Sequence, residues 1–332
     1  MTEQEKAFYD KKFYFSYSSL NKLLYDPKLF YSYYILNEKE EKTDAHLIEG
    51  RVLHCLLLQP EEFDNQFVVM PSSIPTANTK NIIDNLYKTR GEFTDLNDYK
   101  DEILAFLQMA NLHQSLKTDQ QRLEKIITDE SITYWNYLIS SQGKTVIDSE
   151  VYDRLVEAKE EIVKQERFRN LFSDVHAQES GLITANEMLL SYDLKNYQFG
   201  IKGIIDRLVV DPEKREVHII DLKTTGKTHA NFLESIEFYQ YWLQATIYTL
   251  LAVQHIADNK LLSEEKLNQG IKVYFKFVVY DKLKNTCIFE VSESTLNEWY
   301  ERMEKALSIA NYHYSNNKYQ APQEFDSGIV VI

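Results

Sequence analysis

The chain has 332 residues, 44% of them apolar and 13% aromatic, which is enough to bury a sizeable core in one large domain or two modest ones. A formal charge of −14 excludes a protein that coats nucleic acid through a general excess of Lys and Arg, while leaving room for a local basic groove and for carboxylate-rich metal sites. The longest uncharged apolar runs are too short for a membrane span and the polar start, MTEQEKAFYDKKF, is unlike a signal peptide, so the expected location is the cytoplasm, with no membrane partner.

In chain order, FYFSYSSLNKLLYDPKLFYSYYIL (13–36) offers serines of N-cap type ahead of an apolar run, which breaks at Asp26-Pro27 and resumes, so two short helices are predicted. NEKEEKTD (37–44) reads as a charged connector, and AHLIEGRVLHCLLLQPEEF (45–63) as an apolar helix stopped by Pro60 and carrying His54. Residues 64–145 hold a strand-like FVVM, a turn-rich segment and polar helices near 80–90, 97–112 and 117–127, with no chemistry apparent. The spacing over 148–172 predicts one long amphipathic helix.

The period then changes to two. Residues 181–225 predict successive antiparallel strands, with turns near 193–195 and at DPEKRE. A helix over 236–253, strands at 271–281 and around CIFEV, and a last helix at 292–314 follow; the segment from 315 is expected to be loosely attached. The fold class is therefore α/β (α+β), a central mixed β-sheet flanked by helices. The division expected is an N-terminal helical part (1–145) carrying the His motif, packed on a core (146–314), with a C-terminal tail (315–332), together one compact domain.

If the DPEKRE turn is centred between Glu213 and Lys214, Val210 pairs with Val217 and Asp206 falls opposite Asp221, with Lys223 on the same face. That face otherwise carries Ile204, Leu208, Val210, Val217 and Ile219; the other carries Ile205, Val209, Ile220 and Leu222. Both faces being apolar, the hairpin should be covered on both sides. Two carboxylates facing each other there repel unless a cation sits between them, and oxygen ligands suit a hard divalent ion, Mg²⁺ or Mn²⁺, better than zinc. Lys223 would then orient a water nucleophile and offset charge on a phosphorane-like transition state. The bland alternative is that the aspartates cap strand ends and Lys223 forms a simple ion pair. With two cysteines, Cys55 and Cys287, one disulfide is arithmetically possible, a reduced chain is the simpler reading, and neither a four-thiolate zinc site nor an iron–sulfur cluster can be built.

GIIDR, then IIDLKTT, then the Tyr-rich FYQYWLQATIY resembles the PD-(D/E)XK nuclease superfamily, and within it the RecE-like exonucleases (exonuclease VIII) and the RecB-like nucleases. The resemblance extends to EGRVLHCLLLQPEEF, with Gly50 and His54 in a G-x-x-x-H pattern, and to SYSSLNKLLYDPKLFYSYY, and spans residues 16 to about 253. It implies a restriction-endonuclease-like core with an N-terminal helical elaboration. Asp206, Asp221, His54 and the Leu222 carbonyl would serve as metal ligands, Lys223 as the catalytic cation, and Gln244 and Tyr248 as a Q-x-x-x-Y pair. Glu187 is a further acidic candidate, Arg207 a structural residue of the opposite face, and Tyr239, Tyr241 and Tyr248 a face that either packs or stacks bases.

Ile205 stands where the superfamily name has proline, and Asp26 where iron–sulfur members carry cysteine, so no cluster is expected. The implied activity is a Mg²⁺-dependent exodeoxyribonuclease that resects linear duplex DNA in phage-type recombination. Its implied partners are DNA, a single-strand annealing protein and other copies of the chain in a ring, in a bacterial or phage-infected cell. The alternatives are a RecB-like nuclease on single-stranded or flap DNA and a catalytically silent DNA-binding or scaffold subunit.

Overall fold

The structure is a computed structural model that describes residues 1–38, 45–89 and 95–325; from residue 39 on, the charged connector expected over 37–44 lies outside the described residues. The chain divides into two compact units, residues 1–50 with 161–332, and residues 51–160.

The first unit is built on a six-stranded mixed sheet. Its strands are β1 (Tyr14–Phe15), β4 (Ile183–Asp193), β5 (Gly200–Asp211), β6 (Glu216–Thr224), β7 (Lys272–Tyr280) and β8 (Thr286–Val291); β2 (Phe67–Val69) and β3 (Thr145–Ile147) pair in parallel in the second unit. The mixed sheet with flanking helices is the architecture expected from the sequence. β4 runs antiparallel along the length of β5, so β5 has one edge left, which β6 and β1 share. β6 takes residues 207–211 and β1 takes Gly200 and Ile201. Between them, residues 202–206 of β5 pair with no strand on that edge among the described residues.

The β5–β6 hairpin has the expected register, with Val210 opposite Val217 and Arg207 opposite Ile220. Its turn is set locally: the Asp211 carboxylate accepts from the N–H groups of Glu213 and Lys214 at 3.0 and 2.9 Å, and Arg215 adopts the left-handed conformation (φ 57°). β6 and β7 are parallel and need a crossover, which includes the helix Tyr241–Asp258. That helix is apolar on nearly every side and correspondingly buried. With Glu293–Asn316 it packs against Ile201, Ile205, Leu208, Val210, Val217, Ile219, Phe275 and Phe277. Each fully buried Leu, Ile or Phe side chain there contributes about 1.5–3 kcal/mol.

The expectation that both hairpin faces are covered is corrected at one end. Lys202 is exposed and Ile204 is 45% exposed, whereas Ile205 joins Leu208 and Val210 in the core. The simple alternation that put Ile204 with Leu208 and Ile205 on the opposite face therefore slips by one residue at Asp206. There Glu187, across β4, has a left-handed backbone (φ 47°), and Glu187 and Asp206 are missing from the ladder that their neighbours continue. One residue on each strand leaves the ladder while the register on either side is unchanged, so β4 and β5 reverse faces together at this point.

Two predicted helices are interrupted. The one expected over 236–253 is two, Phe232–Phe238 and Tyr241–Asp258, separated by Gln240 in the left-handed region (φ 56°). The one expected over 148–172 is two, Ser149–Lys164 and Glu166–Phe172, because Gln165 is extended (ψ 122°). Near the N-terminus, Ser16 caps Tyr17–Tyr25, and Asp26 caps the next turn ahead of Pro27, as the sequence suggests. Contrary to the expected loose attachment after 315, the chain is anchored at Tyr319, which is 2% exposed, whose hydroxyl lies 2.7 Å from that of Tyr9, and whose ring stacks on Phe30. Residues 326–332 lie outside the described residues.

In the second unit, helices Ala77–Thr89, Lys100–Met109, Asp119–Ile126 and Asp129–Ser140 close around Trp135, Ile83, Leu86, Ile103 and Leu107. The last of these helices was not anticipated from the sequence.

Candidate active site

Asp206 sits where β6 leaves β5. Its carboxylate accepts a hydrogen bond from the Leu222 backbone N–H at 2.7 Å, so a side chain occupies the backbone pairing position just past the last strand pair. The Leu222 carbonyl, on the same side of its strand as that N–H, points toward β5 as well. Across β4, a carboxylate oxygen of Glu187 lies within 4.8 Å of one of Asp206. Asp206 thus lies beside Glu187 on one neighbouring strand and is bonded to Leu222, the residue after Asp221, on the other.

Asp221 is fully buried and precedes Lys223 by two residues, so both point to the side of the helix Tyr241–Asp258. Lys223 Nζ is 2.8 Å from Asp221 Oδ2 and donates to Gln244 Oε1 at 2.9 Å. The Gln244 amide nitrogen donates to Asp221 Oδ1 at 2.8 Å, closing a three-residue ring. The ammonium also lies 4.8 Å from the centroid of the Tyr241 ring.

Burial by itself lowers the Lys223 pKa, but the charges of Asp221 and Asp206 outweigh it and the net shift is upward, so the side chain is a permanent cation at neutral pH. Tyr248 is held protonated first by burial, then by the same two carboxylates, against the opposing influence of its contact with Gln244. Its ring lies against Gly203, where an added Cβ would come within 2.6 Å of it. A glycine in mid-strand is the sequence signal of such a close approach.

The site has supports that no motif announced. The Tyr239 carbonyl, lost to the helix at the Gln240 break, accepts from the Tyr17 hydroxyl and from the Asn21 amide at 2.8 Å. At the end of β6, a Cβ on Gly50 would come 2.7 Å from Thr224 Oγ1, so the first turns of the helix Ala45–Leu58 pass close to the strand that carries Asp221 and Lys223. His54 follows Gly50 by one turn of that continuous helix and belongs to the second unit. Arg207 is fully buried and bonds Asn186 Oδ1 at 2.7 Å and Asp174 Oδ1 at 2.9 Å, a structural contact.

The donor set suits a hard divalent cation. Glu187, Asp206, Asp221 and a backbone carbonyl all offer oxygen, and the charges of Asp221 and Asp206 both act on the Lys223 ammonium.

A family model described as the PD-(D/E)XK nuclease superfamily matches residues 14–321. Among solved structures, a crystal structure from Eubacterium rectale bearing the name "Putative exonuclease" is similar at 12% identity and a TM-score of 0.48, covering all of this chain and 94% of that one. No curated protein sequence matches the chain significantly.

Proposed function

Because the chain belongs to the PD-(D/E)XK nuclease superfamily, we propose that it is a divalent-metal-dependent deoxyribonuclease that hydrolyses phosphodiester bonds by attack of water. One observation carries the reading: Asp206 lies beside Glu187 and is bonded to Leu222, while Lys223 lies 2.8 Å from Asp221 and is acted on by the charges of both Asp221 and Asp206. We assign Asp206, Asp221, Glu187 and the Leu222 carbonyl as ligands of Mg²⁺ or Mn²⁺.

His54 is assigned to the same set. The assignment rests on the G-x-x-x-H pattern that His54 forms with Gly50, which resembles that of the RecE-like and RecB-like enzymes. A bound ion would supply Lewis acidity toward the scissile phosphate.

The chain's own groups do the rest. Lys223 offsets negative charge developing on the phosphate and orients the attacking water. Gln244 holds the ammonium by its carbonyl and Asp221 by its amide, so the catalytic cation and its carboxylate keep one geometry. Tyr248, neutral and wedged against Gly203, backs Gln244 from the same helix.

The finer reading rests on the order His54, Asp206, Asp221, Lys223, Gln244, Tyr248, which resembles RecE-like enzymes. On it, the protein is an exodeoxyribonuclease that resects linear duplex DNA for phage-type recombination in the cytoplasm of a bacterial or phage-infected cell. A single-strand annealing protein would be its partner, and a ring its assembly.

The test is incubation with 5′- or 3′-labelled linear duplex, single-stranded and flap DNA, with Mg²⁺ or EDTA, beside Asp221→Ala and Lys223→Ala. Mg²⁺-dependent cleavage abolished by both substitutions is expected, and the order of label release gives the polarity. Preference for single strands or flaps would move the protein to the RecB-like mode. A folded wild type inert on all three DNAs overturns the catalytic reading in favour of a binding or scaffold subunit.

A further inference from the structure

We propose that Phe238 and Tyr239 form a stacking platform for an unpaired nucleotide of the DNA strand entering the site; this rests on the nuclease reading for its substrate class. The helix Phe232–Phe238 begins with a core residue, Phe232, 1% exposed, and ends on Phe238, 75% exposed, followed by Tyr239 at 44%. Most of the Phe238 ring is therefore open to solvent.

It is the outer end of a continuous run of rings. Phe238 meets Tyr239 edge to face at 4.9 Å, Tyr239 stacks on Tyr241 at 5.5 Å, and Tyr241 carries the Lys223 ammonium. The run therefore leads from the surface to the catalytic cation.

Two further features suit a nucleotide rather than a protein side chain. Lys227 Nζ stands 5.9 Å from the centre of the Phe238 ring, placing a cation for a backbone phosphate beside a face for a base. The platform is also held before any ligand arrives. The Tyr239 carbonyl is gripped by Tyr17 and Asn21 from a helix more than 200 residues distant in sequence, and Gln240 is locked in the left-handed region. Preorganised aromatic surface binds without losing side-chain freedom at the moment of contact.

The experiment is a titration, in EDTA, of the full-length protein with single-stranded DNA carrying 2-aminopurine near its end, whose fluorescence falls when the base stacks. Wild type should quench it. Phe238→Ala should bind about ten-fold more weakly with the quench diminished, and Phe238→Trp should restore both. Lys227→Ala should reduce the salt dependence by about one phosphate contact. In Mg²⁺, Phe238→Ala should raise KM and leave kcat unchanged.

Equal affinity and equal quenching in wild type and Phe238→Ala overturn the platform and leave this face to a protein partner. Cleavage by wild type is read separately on the same preparation. Cleavage without a Phe238 effect sinks the platform alone, and a Phe238 effect without cleavage sinks the nuclease reading alone.

Discussion

The Leu222 N–H donates to the Asp206 carboxylate at 2.7 Å, so the residue assigned to hold metal also ends the β5–β6 pairing. Asp206→Asn keeps an oxygen to accept from that N–H while removing the charge. The variant should fold with wild-type circular dichroism, bind Mg²⁺ weakly by titration calorimetry, and cleave DNA on the order of a thousandfold more slowly. Wild-type metal affinity and rate in Asp206→Asn would remove Asp206 from the proposed ligand set.

Gln244 both accepts from Lys223 and donates to Asp221, and it is 5% exposed. Gln244→Leu fills the same space with no polar atom and leaves both partners short of one bond. Chemical denaturation should show a loss of about 1–3 kcal/mol, and the cleavage rate should fall about 10- to 100-fold, as when a group that orients metal ligands is removed. A variant with normal rate would mean that Lys223 and Asp221 need no brace.

Gly203→Ala places a methyl group 2.6 Å from the Tyr248 ring, which is buried and cannot swing away. The overpacking should lower stability by about 1–3 kcal/mol. In the Tyr248→Leu background the same substitution should cost less, a coupling that a double-mutant cycle of urea melts reads directly. Additive costs would show that the contact carries no strain.

His218 stacks on Tyr274 at 4.9 Å, and burial first, then the charge of Lys276, lowers its pKa below 6.5, with Glu216 opposing. On acidification the unfolded chain therefore takes up the proton before the folded one does. Stability should be complete above about pH 6.5 and decline as the pH falls below it toward the lower folded value. His218→Phe retains a ring over Tyr274 and should flatten this part of the curve, measured by denaturation at about pH 7.5 and about pH 5. An unchanged slope in His218→Phe would assign the acid sensitivity elsewhere.

What could be read in advance was local. The DPEKRE turn carries its own hydrogen bonds, so it sets the register from Asp211 opposite Glu216 to Arg207 opposite Ile220, and alternation then puts Lys223 beside Asp221. Ser16, Asp26 and Pro27 mark helix boundaries because capping is satisfied within a few residues. The helix around Gln244 was legible as apolar, but its break at Gln240 was not, since the residues that take the Tyr239 carbonyl come from the chain's first 21. Glu187 looked like an ordinary strand residue, and nothing in its neighbours' alternation signals its left-handed backbone.

By itself, then, the sequence determined the mixed sheet, the hairpin register and the ordered set of acidic and basic groups, because turn chemistry and side-chain period act over a few residues. Only the tertiary structure decided that alternation slips at Asp206, that Glu187 closes on it from β4, that Tyr248 needs a glycine opposite, and that an aromatic run ends exposed at Phe238. Each of these depends on which strand edge, ring or carbonyl arrives from far along the chain, and a local pattern carries no information about that arrival.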